Sequence, residues 1–338
     1  MDTPTLLNLA QNAVDVGNIR AACEFYEIAL AQSPNNDEVL EAYAEILIHH
    51  AQDLERAKQM LRHAIALNPR VGYVKYLNLA QLTEAEEALG WYQQAHEIAS
   101  EELGRCRKPK AKAALRETLG TISCAIAELY LTDLCFHDDA EAMAGEMVRR
   151  ALAFNPRGVE PHQLHGSLLL SQGDVVAARA ALHRAVDLTH TLSEAHQPPY
   201  ESKIELARLL LQVSPSAAFD FLLELLQLGD NNPYVWFLLG EGARMRGRFE
   251  DAARLLRRAR VMLVVSDGDP KAIAEVDDAI RILVEEMGGP EAAARVPDLD
   301  HPDPISLLQP TGAGEEGDAE EEGGLDEPVW ESCDGDEG

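Results

Sequence analysis

The sequence has 338 residues, 46% of them hydrophobic, which is enough for a sizeable core and by length suggests about two domains. Lysine and arginine total 29 against 58 aspartate and glutamate residues, so the formal net charge is −29. A surface this acidic repels nucleic-acid phosphates and anionic lipid headgroups, and it attracts basic proteins. Direct binding to nucleic acid or to membranes is therefore not expected.

The cysteines and the apolar segments predict a soluble protein of the cytoplasm and nucleus. The five cysteines are scattered and form no CxxC pair, as expected in a reducing compartment. The N-terminus carries Asp2 and does not resemble a signal peptide. The longest apolar stretches, such as 219–228, are too short to span a bilayer.

A helix–turn–helix pattern of about 34 residues recurs along the chain. It places a bulky residue, a leucine and a small residue on the first helix, and a small–large–small series on the second. The small residues are needed where the two helices cross closely. The first copy comprises Leu6, Leu9, Ala10, Ala13, Gly17, Ala22, Tyr26, Ala29 and Pro34. The fifth comprises His162, His165, Gly166, Leu169, Gly173, Ala178, Leu182 and Ala185. The seventh comprises Trp236, Leu239, Gly240, Ala243, Gly247, Ala252, Leu256 and Ala259.

Weaker copies occupy the remaining sequence. The second has one residue inserted in its turn, and the third has a shortened turn before Ala88. The fourth is read from Cys124, Ala127 and Leu131, and the sixth from residues 206–225. Two breaks interrupt the series: the basic segment 105–112, with Pro109 as a helix breaker, and residues 195–200.

This pattern is identified as the tetratricopeptide repeat (TPR), which implies an all-α, right-handed superhelix of about seven repeats. After the last repeat, Asp269 and Pro270 start a helix that Gly288 and Gly289 end, and this helix should cap the array. The predicted domains are a TPR solenoid over 1–289 and a disordered acidic tail over 290–338. The tail has 16 acidic residues against one basic residue, and it has too few apolar residues to fold alone. Trp330 lies in this tail, in a short segment that resembles a binding motif but is as readily unstructured.

No enzyme motif is present. His162 and His165 have a spacing that brings two imidazoles together, but they occupy packing positions of the repeat and no further ligand completes a metal site. Neither a phosphate-binding glycine loop nor a nucleophile motif occurs. We therefore expect no catalysis, no metal and no cofactor. The segment 105–112 is more readily a solvated loop than a nuclear import signal.

The concave face of a TPR stack is formed by the first helix of each repeat. The residues predicted to lie there are mostly acidic, with two aromatic residues and with Arg208 and Arg244 among them. This predicted partner-binding set is Glu38, Glu41, Glu45, Glu84, Asp133, Glu160, Glu201, Glu205, Tyr234, Phe237 and Glu241. Such a face would hold a basic protein segment through charge-assisted hydrogen bonds, although the same residues are also consistent with ordinary solvated helix faces.

One family is resembled more closely. The segment 73–97, with its shortened turn, and the acidic tail containing Pro328, Val329, Trp330 and Glu331 resemble the TPR-type assembly chaperones dedicated to large-subunit ribosomal protein four. The resemblance implies capture of the basic internal loop of that newly made protein and its delivery to large-subunit (60S) ribosome assembly. It implies no residue-level contacts.

Two other functions fit the sequence. A scaffold subunit of a multiprotein complex would form a salt-resistant assembly, and a histone-type acidic chaperone would bind through its tail. The protein is expected to be a monomer with one basic client.

Overall fold

The structure is a computed structural model that describes residues 1–193, 196–229 and 232–296. In those ranges the chain is helical, with one π-helical turn at Leu47–Ala51 and no β-strand. The helices are α1 (Thr3–Asp15), α2 (Ile19–Gln32), α3 (Asp37–Ile46), α4 (Leu54–Leu67), α5 (Val74–Gln81), α6 (Ala85–Arg105), α7 (Pro109–Leu131), α8 (Ala140–Phe154), α9 (Val159–Ser171), α10 (Val175–Thr191), α11 (Tyr200–Leu211), α12 (Pro215–Leu228), α13 (Pro233–Met245), α14 (Phe249–Val265), α15 (Pro270–Glu286) and α16 (Pro290–Ala293).

The helices α1 to α14 form seven consecutive pairs, so the all-α repeat architecture predicted from the sequence is confirmed. The fifth and seventh pairs show why small residues lie at the crossing point of the two helices. A Cβ atom added at Gly166 would lie 2.5 Å from Cγ of Leu182, and one added at Gly240 would lie 2.6 Å from Cδ2 of Leu256. The predicted small residues therefore exist because the second helix occupies the space of a side chain.

The turns inside the pairs explain the irregular second and third repeats. Gly17 and Gly247 join their helices with φ angles of +76° and +71°, which glycine adopts without steric cost. In the second pair the inserted residue widens the end of α3 into the π-helical turn, and Gln52 takes the left-handed conformation at φ 55°. In the third pair Ala85 takes a positive φ of 47° at the shortened turn.

The break at 105–112 is shorter than predicted. The helices are interrupted in this segment as predicted, because α6 ends at Arg105 and α7 begins at Pro109. Pro109 lies in the first turn of α7, where its missing N–H group removes no helical hydrogen bond. Lys110 and Lys112 consequently belong to α7 and are exposed. The other break begins at Ala195, which lies outside the described residues, and it ends where α11 begins at Tyr200.

The predicted capping helix is α15. Asp269 caps its N-terminus by accepting a hydrogen bond from the Lys271 amide, and Gly288 and Gly289 follow its end with φ angles of 91° and 113°. The buried side chains of α15, among them Val276 and Leu283, cover the last pair. No helix in the described ranges has an apolar stretch that reaches across a lipid bilayer.

The described chain continues through α16 to residue 296. Arg257 on α14 donates hydrogen bonds to the main-chain oxygens of Ala293 and Val296, at 2.6 and 2.7 Å. The side chains of both residues are buried. The predicted division of the chain at 289/290 stays a prediction. The tail predicted to be disordered covers 290–338, and from residue 297 onward, including Trp330, it lies outside the described part.

Candidate functional site

The odd-numbered helices from α1 to α13 are the first helices of their pairs, and we call their exposed surface the first-helix face. Neighbouring first helices contact one another, since α7 packs on α9, α9 on α11 and α11 on α13, and the capping helix α15 packs on α13. Side chains also join them directly, since Arg244 on α13 donates to Glu286 on α15 at 2.9 Å. Residues on successive first helices can therefore act on one bound partner.

On α3, two of the three predicted carboxylates are open. Glu38 and Glu45 are exposed, and the structure gives neither of them a hydrogen-bond or ion-pair partner among the described residues. Glu41 instead accepts from Nζ of Lys75 at 3.2 Å, and the Lys75 side chain is fully buried. Because a buried ammonium group needs a compensating charge, Glu41 has a structural role inside the molecule.

The centre of the face carries Glu128 on α7 and Glu160 on α9. Glu160 has an accessible surface, yet the helices around it displace much of the surrounding water, and Glu128 adds a like charge. Burial and then Glu128 together raise the pKa of Glu160 to about 7. The two carboxylates also act on Tyr92 and Cys124, whose pKa values are raised mainly by burial and then by these negative charges. This part of the face therefore favours an incoming cation.

Glu128 is absent from the residues predicted from the sequence. The fourth repeat was predicted to begin at Cys124, which is buried, but the structure also buries Ser123, Ile126 and Ala127. With Ser123 as the first consensus position, Glu128 falls five residues later, the same spacing that separates Leu40 from Glu45. The signal was present in the sequence, but a long turn between α7 and α8 hid it.

Two predicted residues lie away from the first helices. Glu84 is the residue before α6, in the turn between the two helices of the third pair. Asp133 follows the end of α7, in the segment that leads to α8. Both are exposed, so they border the predicted face without belonging to its helices.

The C-terminal end of the face is different because arginines occupy its carboxylates. Arg208 donates to both oxygens of Glu205, at 2.8 and 2.5 Å. Arg244 donates to both oxygens of Glu241, at 3.2 and 2.8 Å. Glu201, in the first turn of α11, is exposed and has no ion-pair partner among the described residues.

An aromatic pair lies on α13, close to Arg208. The rings of Tyr234 and Phe237 stack with centroids 5.8 Å apart and planes 23° apart. Tyr234 is 38% exposed, whereas Trp236 on the same helix is fully buried. The helix thus divides its aromatic residues between core and surface, as the repeat pattern predicted.

A separate cleft of about 800 Å³ lies between α6 and α8, with Ile126 and Met147 among its lining residues. Most of its carboxylates form ion pairs, since Glu101 pairs with Arg105 and Glu146 with Arg150, each at 2.8 Å. It therefore offers less open charge than the first-helix face. In the described part of the chain, no group of three or more histidine, cysteine, aspartate or glutamate side chains is placed to hold a metal ion.

Comparison with known proteins agrees with the fold and with the resemblance seen in the sequence. No family model matches the chain. A protein of Schizosaccharomyces pombe named "Probable assembly chaperone of rpl4" is 28% identical over 283 residues, which cover 77% of this chain and 82% of the relative. A protein of Emericella nidulans with the same name is 27% identical over 270 residues, covering 75% of this chain and 67% of the relative.

Solved structures give the same fold. The structure titled "Assembly Chaperone of RpL4 (Acl4) (Residues 1-338)" superposes with a TM-score of 0.68 at 24% identity, covering 75% of this chain and 99% of that one. A tetratricopeptide repeat protein from Parabacteroides merdae superposes with a TM-score of 0.51 at 14% identity, covering 83% of this chain and 98% of that one. The TPR fold and the similarity to proteins named as assembly chaperones are thereby confirmed.

Proposed function

We propose that this chain is a binding protein that captures a newly made, basic ribosomal protein of the rpl4 type on its first-helix face and chaperones it to large-subunit ribosome assembly. A client with unpaired basic residues is prone to bind nucleic acids and other acidic surfaces non-specifically before it reaches ribosomal RNA. An acidic protein that covers those residues would keep the client soluble until RNA competes for the same charges.

The observation that carries the proposal is the set of open carboxylates on the first helices α3, α7 and α9. Glu38 and Glu45 on α3, Glu128 on α7 and Glu160 on α9 are exposed and have no ion-pair partner among the described residues. The raised pKa of Glu160 means that a nearby cation would relieve an unfavourable charge. A basic segment laid across these helices would meet one such carboxylate after another.

The class of client is supported by the names of the relatives. Both curated proteins are described as probable assembly chaperones of rpl4, and the chain spans 82% and 67% of their lengths. We further propose that the chain acts without catalysis, as a monomer that binds one client, in the cytoplasm and the nucleus. The acidic residues that follow Val296, which lie outside the described part of the chain, are proposed to speed the encounter with a basic client.

The experiment is titration of the purified chain with a purified rpl4-type ribosomal protein at low and moderate salt. We expect a one-to-one complex whose affinity falls as salt rises, because paired charges dominate the contact. The informative variant reverses Glu38 and Glu45 to lysine and leaves Glu41 unchanged, since Glu41 neutralises the buried Lys75. It should bind at least tenfold more weakly.

The matched control reverses Asp187 and Asp220, which are exposed on the second helices α10 and α12 and have no ion-pair partner in the described ranges. It alters the net charge equally, so equal weakening by both variants would argue for non-specific attraction.

A truncation after Val296 preserves the contacts of Arg257 and tests the tail. If that truncation abolishes binding, a tail-based, histone-type chaperone is favoured. A complex with neutral proteins that resists salt would favour the scaffold alternative.

A further inference from the structure

We infer that the α13 end of the first-helix face is a separate subsite that binds a bulky apolar side chain of the client. The face would then bind the client through two chemically different subsites. The inference rests on the proposed function, because the occupant is a segment of the same client. The α3 to α9 part of the face would hold basic residues, and the α13 end would hold an aliphatic or aromatic residue.

Two carboxylates at this end are already neutralised. Glu205 is held by Arg208 and Glu241 by Arg244, in each case through two hydrogen bonds from one guanidinium group. Such two-point pairs have fixed geometry and are stronger than single contacts. Arg244 is bonded in addition to Glu286, which restrains it further. An incoming lysine or arginine would have to displace an existing partner to reach Glu205 or Glu241, so these two carboxylates give a cation little advantage.

The exposed apolar surface at this end is the stacked pair of Tyr234 and Phe237. The two residues are three positions apart, so they lie on the same side of α13 and form one continuous aromatic surface. Their rings are not needed to fill the core, because Val235, Trp236 and Leu239 are the buried residues of this segment. Rigid aromatic side chains that remain partly exposed are typical anchors of protein interfaces.

The charges beside the rings argue against a cation stacked on them. Arg208 lies close enough to influence the ionisation of Tyr234, and it acts on that group more strongly than either Glu275 or Glu205 does. A second cation over the ring would meet this positive charge. The neighbouring carboxylate, Glu205, is occupied by the same Arg208. An apolar side chain of the client meets no such repulsion and removes the rings from water, which is favourable in proportion to the buried area.

The test is the dissociation constant of the full chain with the purified rpl4-type protein, measured from low to moderate salt for three variants. Tyr234→Ala with Phe237→Ala should bind about tenfold more weakly at every salt concentration, with the salt dependence of the wild type. Glu128→Gln with Glu160→Gln should weaken binding mainly at low salt and flatten the salt dependence. Tyr234→Leu with Phe237→Leu should retain most of the affinity, because leucine preserves an apolar surface but has no aromatic ring for a cation.

Phe136→Ala serves as the control, since Phe136 is 92% exposed in the segment between α7 and α8. The inference is overturned if the double alanine variant binds like the wild type or flattens the salt dependence. It is also overturned if the leucine variant is as weak as the alanine variant, which would indicate a cation on the rings. The proposed function fails separately, if the wild-type chain itself does not bind the ribosomal protein at any salt concentration.

Discussion

Replacing Glu160 by glutamine should make the free protein more stable and a weaker binder. Burial and the like charge of Glu128 raise the pKa of Glu160 to about 7, from an ordinary value of 4.5. At pH 8 the folded chain therefore carries an ionised carboxylate in a place that disfavours it. Glutamine has nearly the same size and no charge, so the Glu160→Gln variant should unfold at a higher temperature than the wild type at pH 8.

The pH dependence of stability has a definite sign. Between pH 4.5 and about 7, folded chains retain a proton at Glu160 that unfolded chains have lost. The contribution of this group to the free energy of unfolding is thus fully present at lower pH and is lost as pH rises through about 7. The stabilising effect of the glutamine substitution should grow over the same window and then level off.

Client binding should change in the opposite direction with pH. A basic residue of the client gains from Glu160 only when the carboxylate is ionised, and the ionised fraction falls from about 0.9 at pH 8 to about 0.1 at pH 6. If one contact depends on this group, the wild-type affinity should fall by up to about tenfold over that range, or about 1.4 kcal/mol. The glutamine variant should lack this part of the pH dependence.

Two measurements on the same preparations suffice: thermal unfolding by circular dichroism and titration with the rpl4-type protein, each at pH 6 and pH 8. Asp187→Asn is the matched control, because Asp187 is an exposed acid on the second helix α10. Cys124 and Tyr92 ionise at higher pH than this range, since burial and the two carboxylates raise their pKa values. A lower unfolding temperature for Glu160→Gln at pH 8, or an unchanged pH dependence of binding, would refute the reasoning.

Three further predictions concern stability and are checked by chemical denaturation. Glu41→Gln should lower the free energy of unfolding by about 3 kcal/mol, because it leaves the buried Lys75 without its partner; a loss no larger than that of Glu38→Gln would contradict this. Gly240→Ala should cost roughly 1–3 kcal/mol, since the added Cβ meets Leu256 at 2.6 Å. Gly247→Ala should cost about 1 kcal/mol from its φ of 71° alone, as nothing lies within 4 Å of the new atom; equal effects at both glycines would argue against the crossing-point explanation.

The fold was predictable because the repeat is a local pattern. Residues at Leu6 and Ala10, or at Trp236 and Gly240, recur at fixed spacing and are buried wherever they occur. The boundaries of α15 were likewise predictable from its N-terminal cap and from the two glycines that follow its end. Even the irregular turns were visible as one inserted residue and one shortened turn, although their conformations were not.

The candidate site was predictable in sign and only partly in its residues. Counting repeat positions along the first helices predicts the acidic residues of α3 and the aromatic pair of α13. In the structure both lie on first helices. Such counting cannot distinguish Glu38 from Glu41, because the partner of Glu41 is Lys75 on a different helix. It also missed Glu128, since the long turn after α7 shifted the apparent register.

The sequence by itself therefore determined the helical repeat architecture, the cap and the acidic character of the first-helix face, because each depends on residues that are neighbours along one or two helices. Only the tertiary structure decided which carboxylates are open and which are neutralised. That distinction depends on pairs such as Arg244 with Glu286, which are 42 residues apart, and on how closely packed helices exclude water around Glu160. Both are properties of helices meeting in space, and no spacing along the chain encodes them.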